Sequence, residues 1–216
     1  MAVEQESVNP RARILQAALR QFAAHGFKGA TIRAIAHDAG VSVGLLQYHF
    51  PSKEQLRAEC DVYVFTFLRE ALQQGVRDNA VADSGFVADT HHAVAAVAPY
   101  LATALTSNAP SASKWFDELA AWYREVLVSG EIGPPPPDEE DVDAIAAVYT
   151  AMQLGLTILA KHVYRQLGTD ERDPSAVARI GRARLFLDRE PLIDEKLAAA
   201  IRAGLDQYQH NSATLK

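Results

Sequence analysis

From Arg13 to Gln55 the chain places its glycines and hydroxyl residues so closely that only short helices with tight joints can form there. Asn9 followed by Pro10 suits a helix start, because proline's fixed φ and missing N–H cost nothing in a first turn. Ile14, Leu15, Ala18, Leu19 and Phe22 then recur at the spacing of one helical face, and Gly26 is expected to end the run in a left-handed conformation. Thr31 can cap a second helix with Ile32, Ile35, Ala36 and Ala39 as its apolar stripe, stopped by Gly40. Ser42 can cap a third helix two residues later, and so short a connection forces the second and third helices to cross steeply. Val41, Leu46 and Phe50 extend the apolar faces that must bury against the first helix. This is the spacing of a helix-turn-helix.

The outward side of the third helix lacks what a solvated helix normally carries. Val43, Gly44, Leu45, Gln47, Tyr48 and His49 include no carboxylate, so the face tolerates a polyanion. Gln47 can pair with adenine in a major groove, Leu45 or Val43 can touch a thymine methyl, and Gly44 allows close backbone approach. Tyr48 and His49 suit phosphate oxygens. Arg33, near the start of the second helix, is placed for a guanine edge, with a backbone phosphate as the alternative.

A fourth helix begins at Ser52-Lys53-Glu54-Gln55, a capping box. Lys53 is anomalous there, since a cation in a first turn opposes the helix dipole by about 0.3–1 kcal/mol. A DNA phosphate would be held by both the helix end and the ammonium; a solvated surface lysine is the alternative.

The pattern T-x-R-x-I-A-x-x-A-G-V-S-x-G-x-L-x-x-H-F-x-S-K-E-x-L, met here over residues 31–56, resembles the DNA-binding domain of the tetracycline-repressor (TetR) family of transcriptional regulators. The resemblance covers about a quarter of the chain. It implies an N-terminal domain that binds a palindromic operator as a dimer, usually in repression, and a helical C-terminal domain whose small-molecule ligand releases DNA. It also implies base or phosphate contacts from Thr31, Arg33, Ser42, Val43, Gly44, Leu45, Gln47, Tyr48, His49 and Lys53. Val43, Leu45 and Gln47 depart from the common pattern, which often has lysine or another polar residue, threonine and tyrosine there.

A net charge of −6 is unusual for a DNA binder. It divides unevenly, because residues 1–55 hold six Lys/Arg against four Asp/Glu while the rest holds fifteen against twenty-three. The acidic excess therefore lies outside the proposed DNA face. With 49% hydrophobic and 22% charged residues in 216, the chain can bury a substantial core. The single cysteine, Cys60, excludes an intrachain disulfide and fits the apolar periodicity of the fourth helix, as expected of a buried structural thiol. Residues 1–8 are polar and acidic, without the apolar core of a secretory signal, and are expected to form a disordered arm. Residues 144–160 are apolar but short for a span, contain Gln153 and are alanine-rich, so a buried helix is expected and the protein should be cytoplasmic, without membrane.

After Leu56 no strand-type alternation persists. A long helix is predicted over residues 53–74 and others over 90–106, 111–129, 139–167, 174–188 and 191–208, with four successive prolines at 134–137 as a stiff exposed loop. The expectation is an all-α protein of about nine helices: a three-helix DNA-binding domain at 1–55 and a helical ligand-binding and dimerisation domain at 56–216. Both tryptophans, Trp115 and Trp122, lie on one predicted helix with a second stripe that includes Tyr123, and bulky aromatics with a polar edge suit pocket walls as well as plain core. Tyr63, Phe67, Tyr100, Tyr149, Met152 and Gln153 are the expected co-liners. Ala147, Ala151 and Gly155 form a small-residue face that, with Ile193, Leu197, Ile201 and Leu205 on the last helix, suggests a dimer interface of two helices per chain; packing within one chain is the alternative.

His91, His92, Asp89 and His162 lack metal-ligand spacing, since adjacent helical residues point about 100° apart. No phosphate-binding loop or nucleophile triad is recognisable, so neither catalysis nor a cofactor is expected. The expected partners are double-stranded operator DNA, a small-molecule effector and a second copy of the chain. A helical small-molecule carrier or enzyme without DNA binding is the competing reading, and it would leave Gln47, Tyr48 and Lys53 without a joint purpose.

Overall fold

A computed structural model of the chain describes residues 9–77, 80–107, 110–137, 140–170 and 173–213. The arm expected at residues 1–8, and the expected helix start at Glu139, lie outside them. The described residues form ten α-helices and one short 3-10 turn, Ala80–Ala82, without strands. They divide into two compact units, Met1–Val163 and Tyr164–Lys216.

In the first unit, α1 (Pro10–Gly29), α2 (Ile32–Ala39) and α3 (Val43–His49) follow the punctuation of the sequence closely. The Asn9 side chain accepts from the Arg11 N–H at 2.9 Å, and Thr31 Oγ1 accepts from the Ala34 N–H at 3.1 Å. Ser42 Oγ accepts from Leu45 N–H at 3.1 Å. Each cap satisfies an N–H that the following helix cannot. Gly40 takes φ 64°, donating to the His37 carbonyl while Val41 donates to that of Ala36, so two of the orphan carbonyls at the end of α2 are used. Gly26 behaves differently from expectation. It is left-handed at φ 66°, but the chain makes one further turn to Gly29, so the glycine kinks α1 instead of ending it.

The first turn of α4 (Lys53–Arg77) is capped by Ser52, which accepts from the Gln55 N–H at 3.0 Å. Leu56, Cys60 and Val64 follow at successive turns and are fully buried. α5 (Ser84–Thr106) starts six residues earlier than expected, because Asp83 accepts from the Gly85 N–H at 2.7 Å and thereby caps the helix there. α6 (Pro110–Ser129) packs against α7 (Val142–Ile158). One helix was expected over 139–167; it breaks at Leu159, and α8 (Ala160–Gln166) leaves at a bend of 65°, which accounts for the tenth helix. No single helix among the described residues is long and apolar enough to cross a membrane.

One apolar core runs from α1 through α2, α3 and α4 to α5 and α6, taking in Ile14, Phe22, Ile35, Leu46, Phe50, Leu56, Tyr100 and Trp115. Phe22 is its centre, with ring centroids 5.6 Å from Phe27 and 6.2 Å from Tyr100. A smaller cluster joins Trp122, Tyr123 and Val126 of α6 to Ala146 of α7. In the second unit Asp173 caps α9 (Pro174–Arg189), receiving the Thr169 hydroxyl at 2.7 Å, the Ser175 hydroxyl at 2.9 Å and the Ser175 N–H at 2.8 Å, and those hydrogen bonds, that of Thr169 foremost, hold its carboxyl below the usual range. Asp194 caps α10 (Glu195–Ala213) at 2.7 Å, so that helix starts four residues later than expected.

Burial, then the negative Asp61 and Glu59 beside it, push the Cys60 thiol well above its ordinary value. The thiol is therefore inert in the native protein. Alkylation by iodoacetamide at neutral pH should be at least about 100-fold slower in the folded chain than in denaturant, as for a group that reacts only through opening; equal rates in the two states would contradict its burial.

Candidate nucleic-acid interface

The two-residue joint at 41–42 and the steep crossing it imposes leave α3 with one buried side chain, Leu46. Val43, Gly44, Leu45, Gln47 and Tyr48 are exposed, and Tyr48 is the most open of them at 81%. His49 is half-buried, its ring edge-on to that of Tyr48 at 5.4 Å. Thr31, Arg33 and Ser42 are exposed, although the hydroxyls of Thr31 and Ser42 already accept helix N–H groups and retain only their donor hydrogens for a phosphate. Arg33 has no ion pair among the described residues, whereas Arg11 is committed to Glu59 at 2.5 Å and Arg20 to Asp38 at 3.2 Å. Arg33 thus keeps its guanidinium free for an external acceptor.

Lys53 has surroundings that sequence reasoning did not find. Its ammonium lies 4.6 Å from the centre of the Phe27 ring and 3.5 Å from the Lys28 carbonyl oxygen. The Arg57 guanidinium lies 4.7 Å from the same ring. The Gly26 kink turns this last stretch of α1 so that the ring and carbonyl attract a cation that the dipole of α4 repels. Lys53 is half-buried and held in place, which supports a point charge positioned at the end of α4 and argues against a freely solvated side chain. The signal available in the sequence was Phe27 directly after a glycine, a large apolar residue at the end of the first helical run.

The nine residues expected to line a ligand pocket are not brought to one cavity. Tyr100 and Trp115 are core, with ring centroids 6.3 Å apart, and Tyr100 donates to Asp61, whose second oxygen is 3.9 Å from Arg57. Burial foremost, then that hydrogen bond, keep the phenol protonated far above its ordinary range. Trp122, Tyr123 and Tyr149 stack edge-on in the smaller cluster, each successive pair 4.9 Å apart. Tyr63 is on the surface, accepting from the Gln16 amide at 3.2 Å, and Met152 is 58% exposed. Phe67 is half-buried and lines a groove between α4 and α5. Trp122 Nε1 and Gln153 Oε1 are buried without a hydrogen-bond partner among the described residues, an unmet donor and an unmet acceptor on the two helices that pack together.

Of the expected dimer residues, Ala151 is exposed and Ala147 and Gly155 half-buried, on a side of α7 where Val148, Met152, Leu156 and Leu159 are also exposed. On α10, Ile193 before its start and Leu197, Ile201 and Leu205 along it form a stripe between 43% and 62% exposed. His91 and His92 have rings 5.9 Å apart, and no three His, Cys, Asp or Glu side chains gather among the described residues.

Residues 14–60 match the model of bacterial regulatory proteins, tetR family. The chain is 47% identical over 68 residues to the HTH-type transcriptional regulatory protein RaaS of Mycobacterium tuberculosis, covering 32% of each chain. It is 43% identical over 56 residues to the transcriptional repressor AcnR of Corynebacterium efficiens, covering 26% of this chain and 30% of that one. These matches span about a third of the length of the curated relatives. In fold, the chain resembles a TetR transcriptional regulator from Chloroflexus aurantiacus at a TM-score of 0.57 and 21% identity, covering 84% of this chain and 95% of the other. The ketosteroid transcriptional regulator KstR2 of Mycobacterium tuberculosis aligns at a TM-score of 0.53 and 23% identity, over 86% of this chain and 96% of that one. The likeness to the tetR family of bacterial regulatory proteins thus centres on residues 14–60, the stretch that holds the capped helices α1 to α3 and the start of α4.

Proposed function

We propose that the chain is a cytoplasmic, DNA-binding transcriptional repressor that holds a palindromic operator as a homodimer and is released by a small hydrophobic or aromatic molecule. Residues 1–55 are the reader and residues 56–216 the sensor and dimerisation part. The observation that carries the reading is the seven-residue α3, whose single buried residue leaves a carboxylate-free face exposed beside an uncommitted Arg33 and a fixed Lys53. That combination suits a major-groove reader flanked by phosphate contacts. The similar AcnR of Corynebacterium efficiens is a transcriptional repressor, which supports the sign of regulation.

Release follows from differential affinity: a ligand that fits better when two DNA-binding domains are misplaced for successive major grooves must weaken operator binding by linkage. The continuity of α4 from Lys53 to Arg77 supports such a coupling, since one helix joins the proposed reader to the helices that follow it. The exposed apolar faces of α7 and α10 support self-association, since such stripes on a monomer surface ordinarily mark an interface.

Selection of bound fragments from a random duplex pool tests the reading, with a palindromic consensus expected and no enrichment above nonspecific binding as the contrary result. On the selected duplex, Arg33→Ala and Gln47→Ala should each cost about 1–3 kcal/mol and relax preference at particular base pairs. Lys53→Ala should weaken all sequences alike and reduce the magnitude of the log–log salt slope by about 1 per contact, hence about 2 in a symmetric dimer. A change of consensus in Lys53→Ala would place α4 against bases instead of phosphate.

Light scattering at micromolar concentration should give twice the 23.5 kDa chain mass. Ile201→Glu, which puts a charge into the exposed stripe of α10, should lower the mass to that of one chain while leaving helical content intact. A monomer in the unaltered protein, or a dimer indifferent to this change, would remove α10 from the interface.

A further inference from the structure

Between α4 and α5 lies a groove of about 380 Å³, within the range of sites that take drug-sized molecules. Its walls carry two aromatic rings, Phe67 from α4 and Phe86 from α5. Both are set by packing. Phe67 rests on the main core, and Phe86 lies over Gly75, where an added Cβ would stand 3.8 Å from the ring and 3.3 Å from Val81 Cγ1. Each wall also bears one carboxylate, Glu70 on α4 and Asp89 on α5, with Gln74 and Thr90 as neutral polar neighbours. Among the described residues neither carboxylate has an ion-pair partner, and no lysine, arginine or histidine lines the groove.

Aromatic faces and carboxylates attract the same kind of guest. A ring face is negative by its quadrupole, a carboxylate by its charge, so both favour a cation, and the apolar area of the rings favours one whose charge is carried on a bulky apolar body. An anionic amphiphile would instead meet two uncompensated negative charges. A bare metal ion is poorly served by two carboxylates on opposite walls of an open groove, and no three-ligand cluster exists among the described residues. We propose that this groove is the effector site and that its ligand is a lipophilic organic cation, its apolar body against Phe67 and Phe86 and its charge between Glu70 and Asp89. The inference deepens the ligand-responsive reading and rests on it only for the effect on DNA. That effect has a direct carrier, because Glu70 and Lys53 belong to the same continuous helix.

Calorimetry on the full chain with tetraphenylphosphonium and with tetraphenylborate, ions of one shape and opposite charge, tests the site without DNA. The phosphonium should bind at one site per chain at least about tenfold more tightly than the borate, a difference of about 1.4 kcal/mol. Glu70→Gln and Asp89→Asn, exposed and nearly isosteric changes that leave the fold alone, should each weaken the phosphonium several-fold, and together abolish its preference over the borate. Equal binding of the two ions, or unaltered phosphonium affinity in the double variant, overturns the site. Added to the complex with the selected duplex, phosphonium should weaken DNA binding in the concentration range in which it fills the groove. Filling the groove with no change in duplex affinity overturns the effector role while the cation site stands; a chain that selects no duplex at all overturns the regulator reading while the calorimetric result keeps its meaning.

Discussion

Phe22 is the side chain on which the N-terminal unit depends. It projects from the face of α1 that α2 and α3 also use, yet its ring meets Tyr100 of α5, so the short N-terminal helices and the long helices after them share one interior. Thr103 adds a polar tie across the same boundary, donating to the Ala23 carbonyl at 3.3 Å. Removing a buried phenylalanine of this kind costs about 3–5 kcal/mol, a large share of the stability of an ordinary domain. A rearrangement of α5 or α6 therefore meets the DNA-reading helices through packed rings and not through a flexible linker.

The same region carries its polar fittings in a connected line. Trp115 contacts Tyr100, Tyr100 donates to Asp61, Asp61 lies near Arg57, and Arg57 shares the Phe27 ring with Lys53. Each member is held by the next, and the last is the cation proposed to meet phosphate. The buried phenol and carboxylate make this line costly to disturb singly, because either partner left alone would be a polar group without its hydrogen bond.

What could be read from the sequence was local. Caps and stops at Thr31, Gly40, Ser42 and Ser52 are properties of a few neighbouring residues, and the structure places all four as their chemistry requires. The start of α5 was missed because the cap at Asp83, and not the apolar pattern that begins later, sets it. The break at Leu159 escaped for the opposite reason: residues on both sides are apolar, and nothing in their composition marks a bend. Pocket lining was the least legible, since aromatic spacing shows that residues share a helix face but not whether that face meets a core or a void. Tyr100 and Trp115 met a core; the groove instead recruited Phe86 and Asp89, from a turn of α5 that the pattern had left out.

The economy of α3 has an evolutionary consequence. Only Leu46 is buried and His49 half-buried, so five of its seven positions are under no obligation to the fold. Gene duplicates of such a chain can exchange those side chains without passing through unfolded intermediates, and new target sequences become reachable one substitution at a time. Val43, Leu45 and Gln47 are positions at which this architecture permits such exchange, above a buried scaffold of Ile35, Leu46 and Phe50.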